Sequence, residues 1–151
     1  DFRLMSNRYK EDRKDKKRSS NAAVEVEKAS QLLEKADSIE TIWEWAMPAL
    51  EALEMDHACL ELDMKNHQEK LIWKSTLYDE HHKTAEKRIV DEWSLFLKLF
   101  SENEVFGKFE VWKISEEMPI RNVCFQINKL RNALSDNIKR IEKNKIQSEL
   151  S

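Results

Sequence analysis

Four histidines, two cysteines and a dense set of carboxylates are the groups with which this sequence could do chemistry. His57, Cys59, Glu61 and Asp63 recur every second residue, so on an extended strand they share one face. A metal site needs ligands that converge on one point. Side chains at i, i+2 and i+4 stand in a row instead, so the set reads as a polar strand face and no metal site is assigned. His81 and His82 lie in a charged segment, where adjacent side chains on an extended chain point apart. A Cys–His nucleophile pair needs a third, orienting group and an oxyanion site. Cys124 falls beside an apolar helical stripe and reads as a small core filler. Cys59, on the polar face of its strand, is expected to be mildly reactive. No catalytic, cofactor-binding or metal-binding residue is assigned, and no cofactor is expected.

The glycine count excludes whole classes of chemistry. Gly107 is the only glycine in 151 residues. A dinucleotide fingerprint needs three glycines and a P-loop two, because backbone must come close to phosphate there. A Gly-x-Ser-x-Gly nucleophile elbow fails on the same ground. Two cysteines are no disulfide framework, which points to a reducing compartment. No stretch has the roughly 18 apolar residues of a membrane span. The net charge of −3 is unevenly spread: residues 1–20 carry eight basic and four acidic side chains. A basic arm on an acidic body argues against nucleic acid as the partner of the domain. The arm has the composition of a solvated tail or of a juxtamembrane segment. The chain begins at Asp1, as a piece of something longer would.

Hydrophobic period assigns the elements that position these groups. Val26, Ala29, Leu32 and Leu33 predict a helix from Asn21 to Ala36. Asp37 with Glu40 resembles a capping box opening a second helix. Ile39, Ile42, Trp43, Ala46, Met47, Leu50 and Leu53 form its apolar stripe, and Pro48, which crowds the preceding turn, predicts a bend near Trp45. After Asp56 the period changes from 3.6 to 2. Ala58, Leu60, Leu62 and Met64 alternate with polar residues, which predicts a half-buried strand. Residues Lys65 to Glu69 read as a polar turn and Leu71 to Ser75 as a returning strand. Tyr78 to Asp91 reads as a loop or a short exposed helix. Two more strands follow, Trp93 to Phe100 and Val105 to Ile114, around a turn at Ser101 to Glu104. A long helix opens near Pro119 and carries Ile120, Val123, Ile127, Leu130, Leu134, Ile138 and Ile141. Strands joined by short hairpins, with helices before and after, predict an α+β fold: an antiparallel sheet with N- and C-terminal helices packed on one face.

This order resembles a GAF domain. The late hairpin, Trp93-Ser94-Leu95-Phe96-Leu97-Lys98-Leu99 returning as Val105-Phe106-Gly107-Lys108-Phe109-Glu110-Val111, is similar to that family's, over about residues 39–141. A narrower resemblance is to the cytoplasmic C-terminal extension of some bacterial family 4 glycosyl transferases. It rests on Ile39-Glu40-Thr41-Ile42-Trp43-Glu44 and on Leu50, Leu53, Asp56, Ala58, Leu60 and Leu62. Those enzymes transfer N-acetylhexosamine 1-phosphate to polyprenyl phosphate, with their metal-binding acids in the membrane portion, so no catalytic residue carries over. The resemblance implies a domain over residues 21–148 on the cytoplasmic side, tethered through the basic arm 1–20 to the membrane-embedded transferase portion of the same chain.

The last helix has a longer apolar stripe than four strands can cover. Exposed apolar surface costs roughly 25 cal/mol per Å², so the stripe should find another helix. Trp45 lies off the buried stripe of its own helix and is read as capping the sheet edge or facing a partner. Trp45, Ile127, Leu130, Leu134, Ile138 and Ile141 are therefore the candidate interface of a homodimer through the terminal helices. The alternative is that the helix from Asn21 covers the stripe within one chain. The expected function is a non-catalytic accessory and dimerisation domain of a membrane sugar-phosphate transferase. The alternative is a soluble GAF-type sensor that takes a small ligand in an apolar pocket.

Overall fold

The computed structural model describes residues 21–87, 91–115 and 121–150. The basic arm and the helix start at Glu116 to Ile120 therefore lie outside the described residues, as does the side chain of His82. In chain order the elements are α1 (helical over 21–33), α2 (Ile39–Ala52), β1 (His57–Met64), β2 (His67–Lys74), α3 (Tyr78–Lys87), β3 (Glu92–Ser101), β4 (Glu104–Ile114) and α4 (Arg121–Leu150). The four strands form one antiparallel sheet in the order β2-β1-β4-β3. The α+β architecture expected from the period change at Asp56 is the one found.

The pleat sorts the side chains. Even residues of β1 face inward, and the register aligns Ala58 with Trp73 and Val111, and Leu60 with Leu71 and Phe109. Leu95, Leu97 and Leu99 continue the same face on β3. Against it lie Val26, Ala29 and Leu33 of α1, Ile42, Trp43, Ala46 and Leu50 of α2, and Ile127, Leu130, Leu134 and Ile138 of α4, all in one buried cluster. The Trp43 ring meets Phe109 edge-on, with centroids 6.3 Å apart. Helices α1 and α4 run side by side in the same sense. Lys129 pairs with Glu27, and one turn after another further on Arg140 donates to the carbonyls of Leu33 and Ala36 at 2.9 Å. The Leu33 carbonyl also accepts the Ala36 amide at 3.2 Å, and the guanidinium adds a donor to it and to the Ala36 carbonyl at the end of α1.

Local chemistry sets the joints. Ser38, not Asp37, is the N-cap of α2: its backbone is extended and its Oγ accepts from the Thr41 amide at 3.1 Å, while Asp37 stays exposed. Pro48 sits on the exposed side of a helix that continues to Ala52. Leaving α2, Glu54 takes φ 60°, and the Met55 amide closes on the Leu50 carbonyl. The β1–β2 turn is only Lys65-Asn66, shorter than expected, so His67 already belongs to β2. At the β3–β4 turn Glu102 and Asn103 both have positive φ, the geometry that matches hairpin twist. A bulge between Leu99 and Phe100 leaves Phe106 opposite no residue and turns it into the core, 1% exposed.

Gly107 explains itself by space. Its φ is not positive. A Cβ there would lie 2.4 Å from the Glu61 carbonyl oxygen, a backbone atom of the adjacent strand. The missing side chain lets β4 lie against β1.

Candidate functional site: the outer face of the sheet

The helices α1, α2 and α4 cover one face of the sheet, and the odd residues of β1 turn to the other. The register lines up Lys74, His57, Trp112 and Ser94 across the strands, then Ile72, Cys59, Glu110 and Phe96, then Lys70, Glu61, Lys108 and Lys98. His57 and Cys59 thus share a face as expected. Around them the structure gathers aromatic rings from distant parts of the chain. The His57 ring stacks on Trp112 with centroids 4.5 Å apart and planes 19° apart. Tyr78, at the start of α3, meets His57 edge-on at 5.9 Å, and the Lys74 ammonium sits 4.9 Å from the Tyr78 ring. His57 Nε2 is buried with no hydrogen-bond partner among the described residues. Burial, and then the Lys74 charge, hold this imidazole's pKa below the usual 6.5. A neutral ring offers one donor and one acceptor.

Cys59 corrects the expectation of a reactive thiol. It is 7% exposed although it is on the outer face. Burial is the main effect and pushes the thiol up from its ordinary value, so the nucleophilic thiolate is disfavoured. Next to this row is a shallow hollow of about 260 Å³, lined by Glu61, Phe96, Lys98, Val105 and Lys108 among others. Lys108 bridges Glu61 at 3.2 Å and lies 5.8 Å from the Phe96 ring centroid. Ile72, Phe96 and Val105 are each more than half exposed on or beside this face.

His81 belongs to a cluster that sequence reasoning missed. It lies in α3, a helix where a loop or short helix was expected. Its Nδ1 is 2.5 Å from Asp56 Oδ1, and Asp56 Oδ2 accepts the Ile114 amide at 2.8 Å. Asp56 is 3% exposed, so this carboxylate pins α3 and the end of β4 from inside. Asp56 stands at the period change in the sequence, but its partners lie 25 and 58 residues on. A cavity of about 510 Å³ also opens at the opposite end of the molecule, between the start of α2 and α4, lined by Ile39, Met64, His67, Arg140 and Ile141 among others. Its Arg140 is committed to the end of α1, and its His67 to Glu69 at 2.6 Å.

The candidate interface residues lie mostly inside the single chain. Ile127, Leu130, Leu134 and Ile138 are each 0% exposed, and Trp45 and Ile141 are partly buried against the same core. The stripe expected to require a second copy is covered by α1, α2 and the sheet, because α1 docks along α4. Cys124 is half-buried and unpaired with Cys59, both being free thiols. Among the described residues no three His, Cys, Asp or Glu side chains converge to hold a metal ion. No helix there is long and apolar enough to cross a membrane.

The sequence matches no family model and no curated protein. In structure the chain is similar to the GAF domain of a phosphoenolpyruvate-protein phosphotransferase from Coxiella burnetii, with a TM-score of 0.61, 10% identity, and 85% of this chain and 98% of that one covered. It is also similar to the GAF domain of a protein described as a sensor histidine kinase from Pseudomonas syringae pv. tomato. There the TM-score is 0.59 at 15% identity, covering 95% and 99% of the two chains. A far-red absorbing domain with bound biliverdin IXa matches with a TM-score of 0.52 at 7% identity, covering 78% of this chain and 99% of that one. Strand order, helix placement and these likenesses agree: the chain has the α+β fold of GAF domains.

Proposed function

We propose that this domain is a non-catalytic regulatory module that senses a small planar ligand on the outer face of its sheet. The observation that carries the reading is the His57–Trp112–Tyr78 ring cluster, with a buried ring nitrogen that no described residue satisfies. A flat ligand stacked on Trp112 gains aromatic contact and can hydrogen-bond His57. A ligand that reaches the imidazole from the side where Tyr78 meets it edge-on displaces the Tyr78 ring. Tyr78 begins α3, so occupancy is converted into movement of that helix against its Asp56 anchor. The biliverdin held by one structural relative supports a planar occupant.

The finer reading, attachment to a membrane sugar-phosphate transferase, rests on the sequence resemblance alone, since none of the relatives named above is such an extension. The sensor reading does not depend on it.

Anilinonaphthalene sulfonate, a planar aromatic anion, is the probe for the test. It should bind the intact chain saturably, and Trp112→Ala should weaken binding roughly tenfold by removing the stacking surface. Ile141→Ala, in the cavity at the other end, should leave it unchanged. Absence of saturable binding, or equal binding by Trp112→Ala, overturns the reading.

A further inference from the structure

The strand β3 lies at one edge of the sheet. Two hydrogen bonds reveal which of its backbone groups face outward. The Ser115 amide donates to the Asp91 carbonyl at 2.9 Å. Residues 91 and 115 continue the β3–β4 register, in which Glu92 lies opposite Ile114. In an antiparallel ladder, bonded and non-bonded pairs alternate. Odd residues of β3 therefore bond β4, and even residues direct N–H and C=O away from the sheet. The second bond agrees: Arg131 of α4 donates to the Lys98 carbonyl at 2.9 Å, which requires that carbonyl to point outward.

Lys98 is thus guarded, and Glu92, Ser94 and Phe96 are not. Among the described residues nothing pairs with their outward backbone groups, and all three are exposed. The stretch has no proline, and its formal charges sit only at its ends. An edge of this kind is a template for another strand.

The order of residues says which strand. A two-fold axis through Leu95 sets Ser94 opposite Phe96 of a second copy, and Phe96 opposite Ser94. Both residues are even, so both direct their backbone groups across the seam, and each opposed pair can exchange two hydrogen bonds. The same axis sets Glu92 opposite Lys98 on both sides. Opposite charges directly across a seam stabilise it, and like charges destabilise it. The two Phe96 rings become diagonal neighbours on the outer face, within reach of one another. Phe96 is 52% exposed in the single chain. The strand is therefore complementary to itself in hydrogen bonds, charge and apolar surface at one register.

We propose that β3 pairs antiparallel with β3 of a second copy of this chain about an axis at Leu95, joining two sheets into one of eight strands. The terminal helices take no part. The outer faces of the two copies become continuous, so a ligand site on one borders that on the other.

The experiment measures mass by sedimentation against concentration, from micromolar to millimolar. The chain should pass from 18.0 kDa to twice that mass. Ser94→Pro removes an amide that the fold itself does not use, and should hold the chain at the monomer mass. Glu92→Lys and Lys98→Glu each place like charges opposite one another at two symmetric sites, and each should weaken association by roughly tenfold. The double substitution restores opposite charges and should restore association. If Ser94→Pro fails to fold, as judged by circular dichroism, the charge swap still decides. A wild-type chain that stays monomeric throughout overturns the proposal. So does a folded Ser94→Pro that associates normally, or a double variant as weak as the single ones.

Discussion

Replacing Gly107 by alanine tests the packing of the sheet at its tightest point. The new methyl would sit 2.4 Å from the Glu61 carbonyl oxygen, 3.1 Å from Leu99 Cδ1 and 3.3 Å from Leu62 Cα. Leu99 is a side chain and can give. The Glu61 oxygen is backbone, and ordinary contact begins at 3.4 Å, about 1 Å farther out. Strands β1 and β4 must part by that amount locally. A ladder bond stretched from about 2.9 to about 3.9 Å is no longer a bond. Two such bonds at about 1 kcal/mol each, less the roughly 0.5 kcal/mol that alanine contributes by restricting the unfolded chain, leave a loss near 1.5 kcal/mol. With a urea m-value of about 1.5 kcal/mol/M, the unfolding midpoint should fall by about 1 M. Because the obstacle is backbone, adding Leu99→Ala should not restore the midpoint. A Gly107→Ala chain as stable as wild type, or one rescued by Leu99→Ala, would refute the reasoning.

Two further outcomes follow from buried polar groups. Asp56→Ala leaves the Ile114 amide and His81 without their acceptor and should cost about 2–3 kcal/mol in urea unfolding; Asp56→Asn, which keeps a carbonyl oxygen, should cost less. The pH dependence of stability carries the signature of His57. Its folded pKa is depressed, first by burial and then by Lys74, below the 6.5 of the free group. The unfolded chain therefore takes up this proton more readily as pH falls below about 6.5, and stability drops with it, while above that value the group contributes no slope. His57→Phe retains the stack on Trp112 without a titrating nitrogen. Its urea midpoint should fall less than wild type's between pH 7.5 and 5.5, and an equal fall would show that His57 is not responsible.

What the residues disclose in order along the chain and what they disclose only after folding divide by range. The period change at Asp56 marks a real strand because pleat and helix impose different spacings on the same apolar residues, and Ala58, Leu60, Leu62 and Met64 obey the pleat. The stripe on α2 is equally plain, since Ile42, Trp43, Ala46 and Leu50 are its buried residues. The segment from Tyr78 was ambiguous because its own composition is almost wholly polar, and what docks it is an Asp56 carboxylate before β1. The ring cluster was invisible for a similar reason. His57 and Trp112 meet only because β1 and β4 are neighbours, and strand order is not written in either strand. Cys59 alternates with apolar residues as a wet position should, but it lies on a central strand between Ile72 and Glu110 and is buried. The long stripe of α4 carried information about its need for a cover, and none about whether that cover was another molecule or α1.

The guanidinium of Arg140 fastens the last carbonyls of the first helix to the middle of the longest one. Tension applied along that first helix is therefore borne in shear by a charge-assisted clamp, ahead of the short connection into α2. A pull from upstream loads the two lengthwise rods together, on the side of the sheet opposite the His57–Trp112 ring stack.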